Sequence, residues 1–318
     1  MRCTLIYNPT AGKNRHRRAE QFLLIKDALS ARGHAVILVS TTGPGSAITQ
    51  ASEAADEGAD IVFACGGDGT VHEVLQGLVS EQGNPRVCLG ILPIGSANAL
   101  ARHLRLSLDP LTAAMQQIEG ATVAVPAGKL LHDSGHRYFA VMAGTGPDGM
   151  LAYEVLAAHK SNLGRLAYYV HAARLFMTRR FRPYDIRYCE AGSDKVQIRK
   201  AVSIMAVRVG DMGGLFRGLA SRSASIHDPH IRLLVLAPPA AISLPLWFLS
   251  GCLNLHGFNP YLRCIDVSAV SSHIDKIDLH IQADGEWLGR GAMSLSLIPN
   301  ALLLRVPSTS LKPRGVIG

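Results

Sequence analysis

Ile61-Val62-Phe63-Ala64-Cys65-Gly66-Gly67-Asp68-Gly69-Thr70-Val71 decides the fold of this chain. An apolar run ends in three glycines and is followed by an apolar-periodic stretch, which predicts a strand at 61–64, a tight turn and a helix at 71–80. Glycine lets the turn backbone adopt conformations closed to other residues and approach a ligand closely. Thr70 with Glu73 three residues later matches a capping box, so the helix should begin at the loop with free N–H groups facing a pocket. Such a helix start attracts phosphate. Asp68 among those donors would repel phosphate directly, which makes sense if it holds Mg²⁺ or orders the site through water. The same residues also suit a plain strand-to-helix turn in which Asp68 merely caps, and spacing leaves both readings open.

Outward from this turn, the first 125 residues repeat the alternation: strands are expected at 3–7, 35–40 and 89–92, helices at 15–31, 46–57, 97–104 and 110–119. Parallel strands joined by crossover helices produce this rhythm, and their ligands sit beyond the carboxyl ends of the strands. Two further turns therefore matter. After 89–92 come Pro93, Ile94, Gly95, Ser96, Ala97 and Asn98. Ser96 reads as an N-cap, and Asn98 as a first-turn residue offering a donor and an acceptor to a nucleotide. After 3–7 come Asn8, Pro9, Thr10, Ala11, Gly12 and Lys13. A P-loop is excluded, because Tyr7 and Asn14 stand where it needs a glycine and a hydroxyl.

Past residue 126, strand-sized runs dominate, at 137–143, 201–209, 231–236 and 277–283, with helices near 151–159 and 166–177. Many strands with few crossovers predict an antiparallel sandwich. The expected fold class is thus an α/β N-terminal nucleotide-binding domain with a parallel sheet, residues 1–125, then a C-terminal antiparallel β-sandwich domain, residues 126–300. Residues 301–306 read as a further strand. Gly144 to Gly149 literally fits GxGxxG, but no strand about 20 residues on ends in a ribose-binding acid, so Pro147, Asp148 and Gly149 read as an ordinary turn. At Asp284-Gly285-Glu286 two carboxylates follow a strand. Asp-Gly is ordinary hairpin chemistry, whereas Glu286, if it faces a cleft, is a candidate to accept a proton from an attacking hydroxyl.

The composition narrows the class. With 318 residues, 48% hydrophobic and 18% charged, the chain is neither disordered nor collagenous. Its 32 Lys and Arg exceed 24 Asp and Glu to leave +8, favouring an anionic partner. Six cysteines form no CxxC pair, which argues for a reducing cytoplasm and against a zinc knuckle, and the N-terminus lacks signal-peptide features. Residues 233–262 carry no Asp, Glu, Lys or Arg, yet Pro238, Pro239 and Pro245 split them into a strand at 233–236 and a helix at 244–255. The segment reads as a core, interface or membrane-surface helix rather than a span.

Asn8-Pro9 with Gly12-Lys13, Gly66-Gly67-Asp68-Gly69-Thr70, Pro93 to Asn98 with Ala101-Arg102, and Asp284-Gly285-Glu286, in this order, resemble the diacylglycerol kinase catalytic-domain family, above all its soluble bacterial lipid kinases. Leu163 to Tyr169 also looks like a family segment, so the resemblance covers nearly the whole chain. It implies ATP in a cleft, Mg²⁺, and a last strand returning to the first domain, so that residues 301–318 join 1–125. Carried over residue by residue, Asp68 organises metal and phosphates. Asn8, Gly12, Lys13, Gly66, Gly67, Gly69, Thr70, Ser96 and Asn98 line the nucleotide site, and Glu286 is the general base. The implied substrate is diacylglycerol or another long-chain alcohol at the inner membrane surface. Anionic phospholipid is a partner, with Arg179, Arg180 and Arg182 as candidate headgroup contacts. No nucleic acid is implied, and a homodimer is compatible.

The chain departs from the family pattern at three places. Ser96 stands for a usual Thr, Gly149 for a usual Ala, and the segment 211–233 replaces an Asp-Gly-x-Leu-Asp pattern with His227-Asp228-Pro229-His230-Ile231-Arg232. In the family that segment supplies acidic groups to a structural Mg²⁺ network; here no metal is assigned to it. A sphingoid-base kinase and, more distantly, an NAD kinase share the first loop. A binding regulator that kept the fold and lost turnover stands as the non-enzymatic alternative.

Overall fold

The computed structural model describes residues 1–9, 18–157, 174, 181–210, 224–252, 259–273 and 279–308. Gly12, Lys13, the Leu163 to Tyr169 motif, nearly all of the helix expected at 166–177, Arg179, Arg180 and Gly213-Gly214 lie outside them. The chain divides into two compact units, Met1–Ala127 with Ile298–Gly318, and Gly128–Leu297.

The first unit alternates strands and helices: β1 (Arg2–Tyr7), α1 (Arg18–Ser30), β2 (Ala35–Ser40), α2 (Ser46–Asp56), β3 (Ile61–Gly66), α3 (Asp68–Leu78), β4 (Cys88–Pro93), α4 (Ala99–His103) and α5 (Pro110–Ile118). The strands pair in parallel in the order β2-β1-β3-β4. β3 and β4 are buried at every residue, as near-continuous apolar strands must be when both faces of a parallel sheet are covered. The end of β15 (Met293–Val306) extends this sheet beside β4, with Leu303 opposite Cys88, which places the strand expected at 301–306.

Along β4 the next donor and acceptor are met by a side chain. Fully buried Gln117 accepts from the Ile91 N–H and donates to the Ile91 carbonyl, both at 2.8 Å, so one amide stands in for a strand. Arg305 of β15 donates to the carbonyls of Gln117 at 2.6 Å and Ile118 at 2.9 Å, setting a cation at the C-terminal end of α5.

The second unit holds the rest of β5 (Ala121–His132), then β6 (Gly135–Phe139), β7 (Met142–Thr145), α6 (Pro147–Ala157), β8 (Tyr184–Glu190), β9 (Val196–Ala201), β10 (Ser203–Val207), β11 (Ile231–Leu236), α7 (Ala240–Cys252), β12 (Leu262–His273), β13 (His280–Ala283) and β14 (Glu286–Arg290). The order β14-β13-β7-β10-β11-β12 is antiparallel throughout. β12 changes neighbours part way: its first half pairs with β11 and its second with β8 and the start of β15, across an irregularity between Val267 and Ala269. Strands that pass from one sheet to another in this way close the corner of a sandwich. The interior is one apolar cluster fed by Leu130 and Phe139 of β5 and β6, Ile186 and Tyr188 of β8, and Ile204, Leu233 and Ile281 of β10, β11 and β13.

Three expectations change here. The run 137–143 breaks into β6 and β7. Pro147 to Gly149 open α6 rather than forming a turn; Gly146 takes φ +111°, and a Cβ on Gly149 would lie 2.2 Å from the His280 carbonyl oxygen. The GxGxxG match therefore marks helix-to-strand contact. The uncharged segment folds as β11 and then α7, which begins four residues before the expected start and holds Pro245 inside it. No described helix is long and apolar enough to cross a membrane.

Candidate active site

Three turns meet where β1, β3 and β4 end. The Asn8 N–H donates to the Cys65 carbonyl at 3.3 Å, and the Ile94 N–H to the Gly66 carbonyl at 2.9 Å. Between the latter two turns the backbones touch. A Cβ on Gly95 would stand 2.6 Å from the Gly67 Cα and 2.8 Å from the Asn98 Oδ1, and one on Gly66 would stand 2.2 Å from the Thr70 hydroxyl. The glycines are required by this approach, because any side chain would force the turns apart.

Asp68, the first residue of α3, ties the turns together. Its carboxylate accepts the N–H of Asn98 at 2.9 Å and that of Ala99 at 2.7 Å, at the start of α4. Asn98 is the N-cap residue of α4, in the left-handed region at φ +50°, and its side-chain amide donates to the Gly95 carbonyl at 2.8 Å. Asn98 therefore does not lie on the first turn. Ser96 is exposed and does not cap, because Asp68 reaches across from the neighbouring turn to satisfy the same amides.

The Thr70–Glu73 capping box does not form either. α3 starts at Asp68 with Gly67 as its N-cap, so Thr70 already lies inside the helix, buried against Gly66. Glu73 turns to α2, accepting the N–H groups of Gly45 at 2.9 Å and Ala47 at 3.2 Å. No side chain caps the start of α3, although its macrodipole and the half-buried Gly67 and Gly69 make it a natural anion seat. Burial pushes the neighbouring Cys65 thiol well above its ordinary value, so that sulfur is no nucleophile. A polar hollow of about 490 Å³ also opens in this unit, between Ser52, Asp56, Gly77 and Arg86. It lies toward the opposite ends of the strands, away from these turns.

The second unit has its own aspartate-centred turn. Asp284, at φ +51°, and Gly285, at φ +87°, join β13 to β14. The Asp284 carboxylate accepts the N–H of Ala140 at 3.0 Å, of Val141 at 2.8 Å and of Met142 at 2.9 Å, and its own N–H donates to the Met142 carbonyl at 2.7 Å. Glu286 follows as the first residue of β14 and is exposed. Gly285 N–H is held by the buried Gln282 at 3.0 Å, so the turn that carries Glu286 is fixed on both sides.

Arg208 was not singled out by the sequence, although a charge interrupting the apolar run 201–209 is the signal that would have found it. It is 1% exposed, and burial lowers its pKa to about 10, opposed by attraction from Asp228 and Asp284; it stays charged at neutral pH. Its guanidinium donates to the carbonyls of Ile226 and Asp228, the latter at 3.2 Å.

A parallel α/β unit whose glycine turns converge at its strand ends, followed by an antiparallel β unit bearing an exposed glutamate, is an architecture shared with known proteins. Two crystal structures from Bacillus anthracis str. Sterne match it over 98% of this chain and 98% of theirs. One, at 16% identity and a TM-score of 0.67, is described as a diacylglycerol kinase; the other reaches 0.74 at 19% identity. The model of the diacylglycerol kinase catalytic domain matches residues 2–130. A diacylglycerol kinase of Staphylococcus aureus (strain MRSA252) is 35% identical over 294 residues, covering 91% of this chain and 87% of that protein. One from Staphylococcus saprophyticus is 28% identical over 289 residues, covering 91% and 90%. The chain belongs to the diacylglycerol kinase family and is a kinase.

Proposed function

We propose that the protein transfers the γ-phosphoryl group of ATP to the hydroxyl of diacylglycerol or a similar long-chain alcohol, the first unit taking the nucleotide and the second supplying the base. The observation that carries this reading is the close contact of Gly67 and Gly95 beside the start of α3, which no side chain caps. A cradle that a Cβ would fill, lined by helix-start amides, suits polyphosphate. Asn8 and Asn98 add amide groups to the same strand ends, with Gly66, Gly69, Thr70 and Ser96 in the turns; Gly12 and Lys13 complete the set by resemblance.

The donor set also suits Mg²⁺. Asp68 already accepts two N–H groups, so it would reach a magnesium ion most readily through the ion's water shell. When bound, the ion neutralises charge on the phosphates. Glu286 takes the proton of the lipid hydroxyl as its oxygen bonds to the γ-phosphorus; the bond to the β-bridging oxygen breaks and ADP leaves. The amides of the cradle stabilise the negative charge that develops.

The work is placed at the inner surface of an anionic membrane. The chain's +8 charge and the exposed Ile242 and Leu249 of the uncharged α7 support that placement. Purified protein with Mg-ATP and mixed micelles should yield labelled phospholipid across a lipid panel, and the preferred lipid names the substrate. Glu286→Gln should lower turnover about a hundredfold or more while nucleotide affinity holds. Unchanged turnover rejects Glu286 as the base, and a wild type inert toward every lipid rejects the kinase reading for this chain.

A further inference from the structure

The family resemblance carries a second, structural Mg²⁺ bound near residues 211–233, and the described residues of that region do not fit one. The Asp228 carboxylate accepts the Ser225 N–H at 2.8 Å, while the carbonyls of Ile226 and Asp228, the oxygens a loop would offer a cation, accept from Arg208. Asp266 is taken as well: Arg232 grips it with two of its three guanidinium nitrogens, Nε to Oδ1 and Nη2 to Oδ2, the latter at 3.0 Å, and His230 stands 3.4 Å away. No group of three His, Cys, Asp or Glu side chains is gathered to hold a metal among the described residues.

Arg208 faces two ways. Its guanidinium binds the 226–228 loop, and its backbone N–H donates to the Val141 carbonyl at 2.9 Å. The N–H of that same Val141 donates to the Asp284 carboxylate. One residue thus hydrogen-bonds through its buried guanidinium to the 226–228 loop and through its backbone, by way of Val141, to the turn that carries Glu286, and Asp228 and Asp284 both attract its charge. A guanidinium offers five donors in a rigid fork and needs no hydration shell to be stripped, so it can satisfy several carbonyls where an ion would need a cage of oxygens.

We infer that Arg208 is a positioning residue that supplies, from the chain itself, the positive charge joining the 225–228 loop to the Asp284–Gly285–Glu286 turn, so that the second unit needs no structural metal ion. The role of Glu286 rests on the function proposed above; the metal independence does not.

Thermal melting of the full chain tests the metal claim, without nucleotide, in Asp68→Asn protein so that only the second unit can answer. The midpoint should be the same in EDTA and in excess Mg²⁺. Any rise with Mg²⁺ overturns the inference, because an ion that binds only the native state must raise it. Arg208→Met should lower the midpoint of otherwise wild-type protein by about 5 °C or more, with Arg208→Lys falling between the two. Equal melting of the Met and Lys variants shows that charge is not the agent and overturns it too. In lipid phosphorylation, Arg208→Met should lower kcat about tenfold or more and leave the KM for ATP within about twofold, Lys restoring part of the loss. An unchanged kcat in the Met variant rejects the positioning role. If Glu286→Gln proves fully active while the melting results hold, the base assignment fails and the built-in cation stands.

Discussion

Each unit organises one candidate turn around a single aspartate, and the two are built differently. Asp68 gathers two backbone amides from one neighbouring turn, and it sits at a helix start that no side chain caps. Asp284 gathers three amides, two from the segment between β6 and β7 and one from the first residue of β7, and attracts the charge of buried Arg208. A carboxylate with three N–H donors has spent its capacity on the fold, and two residues on stands exposed Glu286, the proposed base. The contrast separates a turn proposed to bind nucleotide from a turn proposed to hold Glu286 in place.

The contrast is broken hardest at the saturated end. Asp284→Ala strands three amides and removes a counter-charge from Arg208, a loss of about 3–5 kcal/mol by the usual cost of orphaning a buried partner. Chemical denaturation should show that loss, and lipid phosphorylation should fall with it while ATP affinity, read by nucleotide titration, changes little. A variant as stable as wild type would mean that the three amides find other partners and that Asp284 is no scaffold.

At the proposed nucleotide turn the effect should be smaller in stability and sharper in affinity. Gly95→Ala puts a methyl group 2.6 Å from the Gly67 Cα, backbone that can yield only by moving the turn. Overpacking of this kind costs about 1–3 kcal/mol, and the displaced amides should raise the KM for ATP more than they lower kcat. If the variant binds nucleotide as wild type does, the cradle lies elsewhere.

Which of these features the sequence announces follows from how local each one is. The run Ile61 to Gly66 reads as a strand ending at a functional turn because its apolar residues and glycines are contiguous. The α/β and antiparallel halves likewise follow from the change of rhythm after residue 126. Thr70 and Glu73 mislead because i, i+3 spacing shows a capping box only if the helix starts where Thr70 stands; it starts two residues earlier, and Glu73 is claimed by α2. The partners of Asp284 are 142 to 144 residues away in sequence, and those of Asp68 are 30 and 31 away, so no window on the chain could pair them. Arg208 shows in the sequence only as a charge in an apolar run, and its purpose depends on a loop and a turn that folding brings to it.

The smallest expected effect comes from an aspartate that serves a single helix. Asp109 caps α5, accepting the Thr112 N–H at 2.8 Å and its hydroxyl at 2.7 Å, and those bonds hold its carboxyl below the ordinary value. A folded pKa below the unfolded one contributes stability above the ordinary carboxylate value of about 3.9, and that contribution is lost as pH falls through the folded pKa. Asp109→Ala should therefore cost about 1 kcal/mol at neutral pH and progressively less in acid, with Asp109→Asn recovering most of it because an uncharged amide oxygen also caps. Denaturant midpoints across a pH series check this, and a gap that stays constant into acid would show that the charge plays no part. Activity should be untouched in both variants, since this cap joins no distant segments, whereas the same residue type at positions 68 and 284 joins turns that the chain keeps far apart.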